Sequence, residues 1–126
     1  MREVYDFLLD AGVWFLATAE GAQPRLRPFD SVRLYRDRLY FVTGRAKAVS
    51  RELHANPRVE LCALRGDDWL RVEGSTVLDD DPAMREDLPP LPCRFDAAEG
   101  GVEYWYLRNC TAAFCTGSEL IKTWRF

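Results

Sequence analysis

A short segment near residue 45 holds the residue types that could bind a phosphate group. An apolar strand pattern ends at Thr43, Gly44 interrupts it, and Arg45 and Lys47 follow just before a helical pattern begins. The start of a helix presents unpaired backbone N–H groups and the positive end of the helix dipole. A hydroxyl and two cations at the same place add charge-assisted hydrogen bonds. The pattern therefore predicts a bound anion here, and a phosphate in particular.

A second basic pair lies on an earlier strand pattern. Arg25 and Arg27 are two residues apart, so the alternation of a strand places both side chains on one face. If this strand pairs with the strand that ends at Thr43, the positive charges of the two segments converge. We therefore predict a phosphate-bearing cofactor held between these two strands.

Composition limits the classes of protein that fit this site. The 126 residues suit one domain, residues 1–126, with a single core. Aromatic residues make up 13% of the chain, which supplies flat apolar surface for a core, a ligand or a subunit contact. The formal net charge of −3 argues against nucleic-acid binding, because such domains usually carry a basic face. We expect no nucleic-acid partner.

The four cysteines and the single histidine do not predict a metal site. Cys62, Cys93, Cys110 and Cys115 show no C-x-x-C spacing, and His54 alone offers few further ligands for zinc. We interpret the cysteines as reduced thiols in a cytoplasmic protein. The N-terminus lacks the order of a secretion signal, and no run approaches the ~18 apolar residues of a membrane span. We therefore expect no membrane partner.

The first half of the chain predicts a helix followed by three strands. Apolar residues recur at helical spacing over residues 2–11, and Gly12 is placed to end that helix. Residues 13–18 form a strand pattern that makes a hairpin with a second strand over residues 23–34. A third strand over residues 38–43 follows a tight turn. Three consecutive antiparallel strands would form a meander.

The second half predicts two further helices and four more strands. Helical spacing runs over residues 46–55 and stops at Asn56-Pro57, and strands follow over residues 59–64 and 69–78, with a bulge at Gly74. A short helix over 83–88 begins after Pro82, capped by Asp80 or Asp81. Residues 102–114 and 120–126 complete the set. Many short strands with two or three small helices favour a small β-rich barrel of the α+β class.

An ordered set of motifs resembles the pyridoxamine 5'-phosphate oxidase-like family of FMN-binding split barrels. The set begins with Pro24 and Arg27, continues with the strand that ends in Thr43 and with Lys47, and closes with Asn56-Pro57-x-Val59. The match runs over most of the chain. The resemblance implies a six-stranded antiparallel split β-barrel that works as a homodimer, with FMN in clefts between the subunits.

The resemblance also implies which residues hold the cofactor. Arg27 and Lys47 match the positions that bind the FMN phosphate, and Thr43 matches the position that hydrogen-bonds the phosphate or the ribityl chain. Arg25 and Ser50 lie beside these positions and are further candidates. The other candidates lie near the flavin rather than the phosphate: Pro28, Phe29 and Val42 would pass it with their backbone, and Trp69, with the strand from Arg108 to Phe114, would line the cleft from the partner chain.

By resemblance, the chain is an FMN-dependent oxidoreductase that acts on an unassigned small molecule, with NADH or NADPH as candidate electron donors. The longer enzymes hold their substrate with an Arg and His pair near the C-terminus, whereas this sequence ends Lys122-Thr123-Trp124-Arg125-Phe126. We therefore do not predict the vitamin as its substrate. No catalytic residue is assigned, because the flavin carries the chemistry. The alternative is a non-catalytic carrier or sensor that binds flavin, deazaflavin or haem.

Overall fold

The computed structural model describes residues 1–88 and 101–126, which form eight strands and three helices. The helices are α1 (Arg2–Ala11), α2 (Ala48–Ala55) and α3 (Pro82–Asp87). The strands are β1 (Trp14–Glu20), β2 (Gln23–Phe29), β3 (Arg33–Tyr35), β4 (Arg38–Gly44), β5 (Arg58–Arg65), β6 (Asp68–Asp79), β7 (Val102–Thr116) and β8 (Glu119–Arg125).

All the strands belong to one antiparallel sheet with the order β2-β1-β5-β6-β7-β4-β3, and β8 pairs with β7. The mainly β, α+β architecture of a split barrel is confirmed, and the sheet has eight strands where the resemblance implied six. The long strand β7 pairs with β6 along one edge. Along its other edge it pairs with β4 through its first residues and with β8 through its last ones, so it joins both of these strands to the rest of the sheet.

Local sequence signals account for most of the element boundaries. Gly12 ends α1 with a positive φ of 77°, a conformation that suits a residue without Cβ. Asp81 caps α3 by accepting a hydrogen bond from the backbone N–H of Ala83, and Pro82 occupies the first turn. The bulge at Gly74 is confirmed by a register shift between Glu73 and Ser75. These features follow from residue type and spacing alone.

The predicted meander is wrong. The stretch 23–34 is not one strand but two, β2 and β3, and only β3 pairs with β4. The β1–β2 hairpin is confirmed, but β2 has no ladder to β4, whose other neighbour is β7. A turn with positive φ at Arg36 and Asp37 brings β3 back onto β4. Consequently Arg27 and Thr43 do not lie on paired strands.

The core lies between the sheet and the helices α1 and α2. Trp14 stacks on Phe29 with ring centroids 4.9 Å apart, and Phe41 meets both rings edge-on. Val49 and Leu53 of α2 are buried in the same cluster. Burying these side chains fixes α2 against the sheet. Among the described residues, none of the helices has the length and apolar character needed to cross a membrane.

Candidate functional site

The predicted phosphate site lies where β4 ends and α2 begins. The backbone N–H of Lys47 donates to the carbonyl of Gly44 at 3.0 Å, which folds the connection into a tight turn before Ala48 starts the helix. Lys47 occupies the N-cap position, and its side chain makes no capping hydrogen bond. The first N–H groups of α2 therefore have no side-chain acceptor in that position, as an anion site at a helix start requires.

Thr43 carries a buried hydroxyl that the described part of the chain leaves unpaired, as Trp14 Nε1 and Arg33 Nε are. The residue is fully buried, and its Oγ1 has no hydrogen-bond partner within residues 1–88 and 101–126. A buried hydroxyl without a partner costs about 1–3 kcal/mol, so native proteins rarely leave one unpaired. Thr43 is adjacent to the turn that starts α2. Its position and its unpaired hydroxyl fit a ligand with acceptor oxygens, such as a phosphate.

Arg27 contacts helix α2 through the carboxylate of Glu52. Its Nη2 donates to Oε1 of Glu52 at 2.5 Å, and its Nη1 donates to Oγ1 of Thr18 at 2.7 Å and to the carbonyl of Leu16 at 3.2 Å. The hydroxyl of Thr18 donates in turn to Glu52 at 2.6 Å. Arg27 is therefore part of an ion pair that joins β2 and β1 to α2.

The ion pair controls the ionisation of Glu52. Burial alone would raise the pKa of this carboxyl, but the hydrogen bonds from Thr18 and Arg27, together with the charge of Arg27, outweigh burial and lower the pKa. Glu52 therefore stays ionised beside Arg27. Arg25 lies on the same strand and forms a more exposed pair with Glu20 at 2.9 Å.

A second buried carboxylate, Glu103 of β7, holds the opposite side of α2. Ser50 Oγ donates to its Oε1 at 2.5 Å, His54 Nε2 lies 2.9 Å from its Oε2, and Trp105 Nε1 donates at 3.3 Å. Burial would raise the pKa of Glu103, but these hydrogen bonds lower it overall. Ser50 is thus committed to Glu103 in this structure, and His54 is a positioned residue rather than a loose helix end.

The remaining predicted residues occupy two separate places. Val42 and Phe29 are buried, Phe29 in the main core, while Pro28 is exposed on β2. Trp69 lies far along the sheet, because it is in register with Cys115 near the end of β7, whereas Thr43 is in register with Glu103 near its beginning. One chain therefore does not bring Trp69 to Thr43, and its role in a partner's cleft stays a prediction.

The sequence reasoning missed Glu52 and Glu103, although a signal for each is present. Glu52 lies three residues after Val49 and one before Leu53, which puts it on the apolar face of α2. Glu103 alternates with Trp105 and Leu107, the buried positions of β7. A carboxylate at a core position implies a buried partner. Among the described residues there is no group of side chains that could hold a metal ion.

The fold defines the class of protein as a split barrel, and the sequence match defines the family. The model of the pyridoxamine 5'-phosphate oxidase family matches residues 1–97. The chain belongs to the pyridoxamine 5'-phosphate oxidase family. None of the curated proteins compared with the chain matches it.

Solved structures share the fold over nearly the whole chain. A NimC/NimA family protein from Clostridium acetobutylicum is 26% identical, with a TM-score of 0.83 over 100% of this chain and 92% of that chain. A pyridoxamine 5'-phosphate oxidase-related, FMN-binding protein from Nostoc punctiforme is 17% identical, with a TM-score of 0.66 over 91% and 82%. General Stress Protein 26 from Bacillus anthracis is 14% identical, with a TM-score of 0.68 over 96% of each chain.

Proposed function

We propose that this protein binds FMN and works as an FMN-dependent oxidoreductase on a small molecule. The observation that carries the proposal is the buried, unpartnered hydroxyl of Thr43 next to the start of α2. Membership of the family and the similar FMN-binding protein from Nostoc punctiforme support FMN as the ligand. The residues present therefore fit the phosphate end of the cofactor.

Each predicted ligand has a distinct role toward the phosphate. Thr43 would donate its hydroxyl, and Lys47 would place an ammonium at the start of α2, where the helix dipole adds to its charge. Arg27 uses three of the five guanidinium N–H groups for Glu52, Thr18 and Leu16. It would reach a phosphate with the two that remain, so it would serve the fold and the cofactor together.

The bound flavin would supply hydride or electron transfer, and the protein would supply its placement. We assign no catalytic residue. NADH and NADPH are the candidate electron donors, and the substrate is a small molecule whose identity is open.

We further propose that the protein is a homodimer with FMN at the subunit interface. Several large apolar side chains are exposed to solvent in the single chain, and together they expose more apolar area than scattered surface residues usually do. They are Phe15, Leu26, Leu64, Leu120, Ile121 and Trp124. A second copy would cover such a surface, and in the dimer Trp69 and residues 108–114 of one chain would line the flavin cleft of the other. Sedimentation equilibrium tests this point, and a monomer at micromolar concentration would contradict it.

The cofactor assignment is tested with Lys47→Ala and Thr43→Val, using Arg36→Ala as the charge-removal control. Arg36 lies in the turn between β3 and β4 and forms an exposed ion pair with Asp87. Loss of one charge-assisted hydrogen bond of roughly 1.5–3 kcal/mol raises the FMN dissociation constant by about tenfold or more. We expect this increase in the two site variants and none in the control. Equal FMN affinity in all three proteins would remove the phosphate assignment.

Anaerobic mixing with NADH or NADPH distinguishes the enzyme from the carrier. We expect one of the two donors to bleach the flavin absorbance. No bleaching with either donor would favour the non-catalytic carrier or sensor. The absorbance spectrum of the isolated protein and the mass of the released ligand separate FMN from deazaflavin and haem.

We also propose a cytoplasmic location. Cys62, Cys110 and Cys115 are free thiols in the structure. Free thiols are typical of proteins in a reducing compartment. Localisation of a tagged full-length chain in its own host tests the assignment.

A further inference from the structure

A second possible binding site is a cleft on the β7 side of α2. It has a volume of about 750 Å³, within the range of small-molecule sites. The charged side chains of its wall come from α2, α3, the end of β6 and the start of β7: Arg45, Arg51, His54, Asp80, Arg85 and Glu103. Thr43 and Arg27 are not among the described residues that line it, whereas Arg45 and Ser50 of the predicted phosphate site are. The cleft therefore adjoins the phosphate site of the proposed flavin and extends from it along the β7 side of α2.

The side chains that line this cleft carry more positive than negative charge. Three guanidinium groups face two carboxylates, and one of these, Glu103, lies buried beneath the cleft. Its oxygens already accept hydrogen bonds from Ser50 and Trp105 and lie against His54. The other, Asp80, is exposed. Glu103 is thus hydrogen-bonded within the protein and paired with Arg45, and three arginines against two carboxylates leave one positive charge in excess.

The arginines differ in how firmly they are held. Arg85 donates from Nη2 to the carbonyl of Val102 at 3.2 Å, and its guanidinium lies 5.3 Å from the centre of the Tyr104 ring. Arg45 Nε lies 3.9 Å from Glu103. Arg51 forms no hydrogen bond or ion pair within the described part of the chain. A held guanidinium beside an uncommitted one suits an oxyanion, because the planar fork pairs with two oxygens at once.

We propose that this cleft binds a small molecule that carries a phosphoryl or carboxylate dianion, held by Arg45, Arg51 and Arg85. Solvated arginines on a convex surface would attract anions weakly, and a titration with an anion would not saturate. Three of them that line one open concavity above Glu103 would bind an anion at a single saturable site. The cleft shares Arg45 with the predicted phosphate site, so anion binding is measured with and without FMN to separate the two.

The test is isothermal titration of the purified full-length protein with inorganic pyrophosphate and, separately, with citrate, at constant ionic strength. The titrations are made on the protein as isolated and after saturation with FMN. The variant is Arg51→Gln combined with Arg85→Gln, and the control is Arg125→Gln, an exposed arginine on β8. We expect saturable one-site binding of at least one probe, and a dissociation constant raised by about tenfold or more in the double variant and unchanged in the control.

The two probes distinguish the chemistry of the ligand. Tighter binding of pyrophosphate indicates a phosphoryl ligand, and tighter binding of citrate indicates a carboxylate ligand. Absence of saturable binding for both probes, or equal affinity in the double variant and the control, would overturn the site. Competition by FMN would also overturn it, because the anion would then occupy the flavin phosphate site. Failure of FMN to bind at all would leave these measurements intact.

Discussion

Replacing Arg27 by methionine should destabilise the protein even when no flavin is bound. Methionine keeps an unbranched apolar stem but removes the hydrogen bonds to Glu52, Thr18 and Leu16. Glu52 is 4% exposed, so its charge would remain buried with Thr18 as its partner. Removing one partner of a buried pair costs several kcal/mol. Because the Arg27 side chain is 21% exposed and water can enter, we expect a loss of about 2–3 kcal/mol.

The effect has a pH dependence with a fixed sign. The pKa of Glu52 is lower in the folded protein than its ordinary value of 4.5, because hydrogen bonds and the charge of Arg27 outweigh burial. Its contribution to stability is therefore present above pH 4.5 and is lost as the pH falls through the folded pKa. Without Arg27, burial dominates and the pKa of Glu52 rises. The variant should lose less stability than the native protein between pH 7 and pH 4.

Urea denaturation of the flavin-free proteins, followed by tryptophan fluorescence, measures both effects. Glu52→Leu combined with Arg27→Met is the companion variant, because it removes both charges and should cost less than the two single changes together. A change in the free energy of unfolding below about 0.5 kcal/mol for Arg27→Met would show that the pair is not a stabilising contact.

Three further results are expected. Thr43→Val should leave the flavin-free protein as stable as before or more stable by about 1 kcal/mol, and it should weaken FMN binding. Thr43→Ser keeps the hydroxyl and should retain FMN binding. A clear loss of stability in the valine variant would contradict an unpaired hydroxyl. Gly74→Ala should cost about 1–3 kcal/mol in urea denaturation, because a Cβ there would overlap the sulfur of Cys110 and lie 3.0 Å from its Cα. In Gly44→Ala, the matched control, the new Cβ meets only the Lys47 side chain, at 3.5 Å or more, so equal losses in the two variants would contradict the close approach. Burial raises the pKa of the Cys110 thiol to about 11, so peptide mapping after iodoacetamide treatment at pH 8 should find this thiol unmodified until denaturant is added, and rapid labelling of the native protein would refute the burial.

The sequence by itself determined the local elements. The strand predicted over residues 59–64 lies within β5 (Arg58–Arg65), and Gly12 marked the end of α1. Residue order also identified the family, and it pointed to Thr43 beside a helix start. These features depend on neighbours within a few residues, where periodicity and cap chemistry act directly. The predicted short helix needed only Asp81 and Pro82 to set its start, while the segment 89–100 between that helix and β7 lies outside the described residues.

Only the tertiary structure decided which strands pair and what each arginine contacts. The chain leaves the extended conformation between Phe29 and Arg33, and β3 rather than β2 pairs with β4. No residue in that stretch specifies which strand will be its partner. Arg27 meets Glu52 25 positions away, and Glu103 meets Ser50 from 53 positions away. Such contacts depend on how α2 packs on the sheet, which the burial of many distant apolar groups determines together. The residue types of the site can therefore be predicted from short stretches of sequence, whereas its geometry depends on contacts between distant residues.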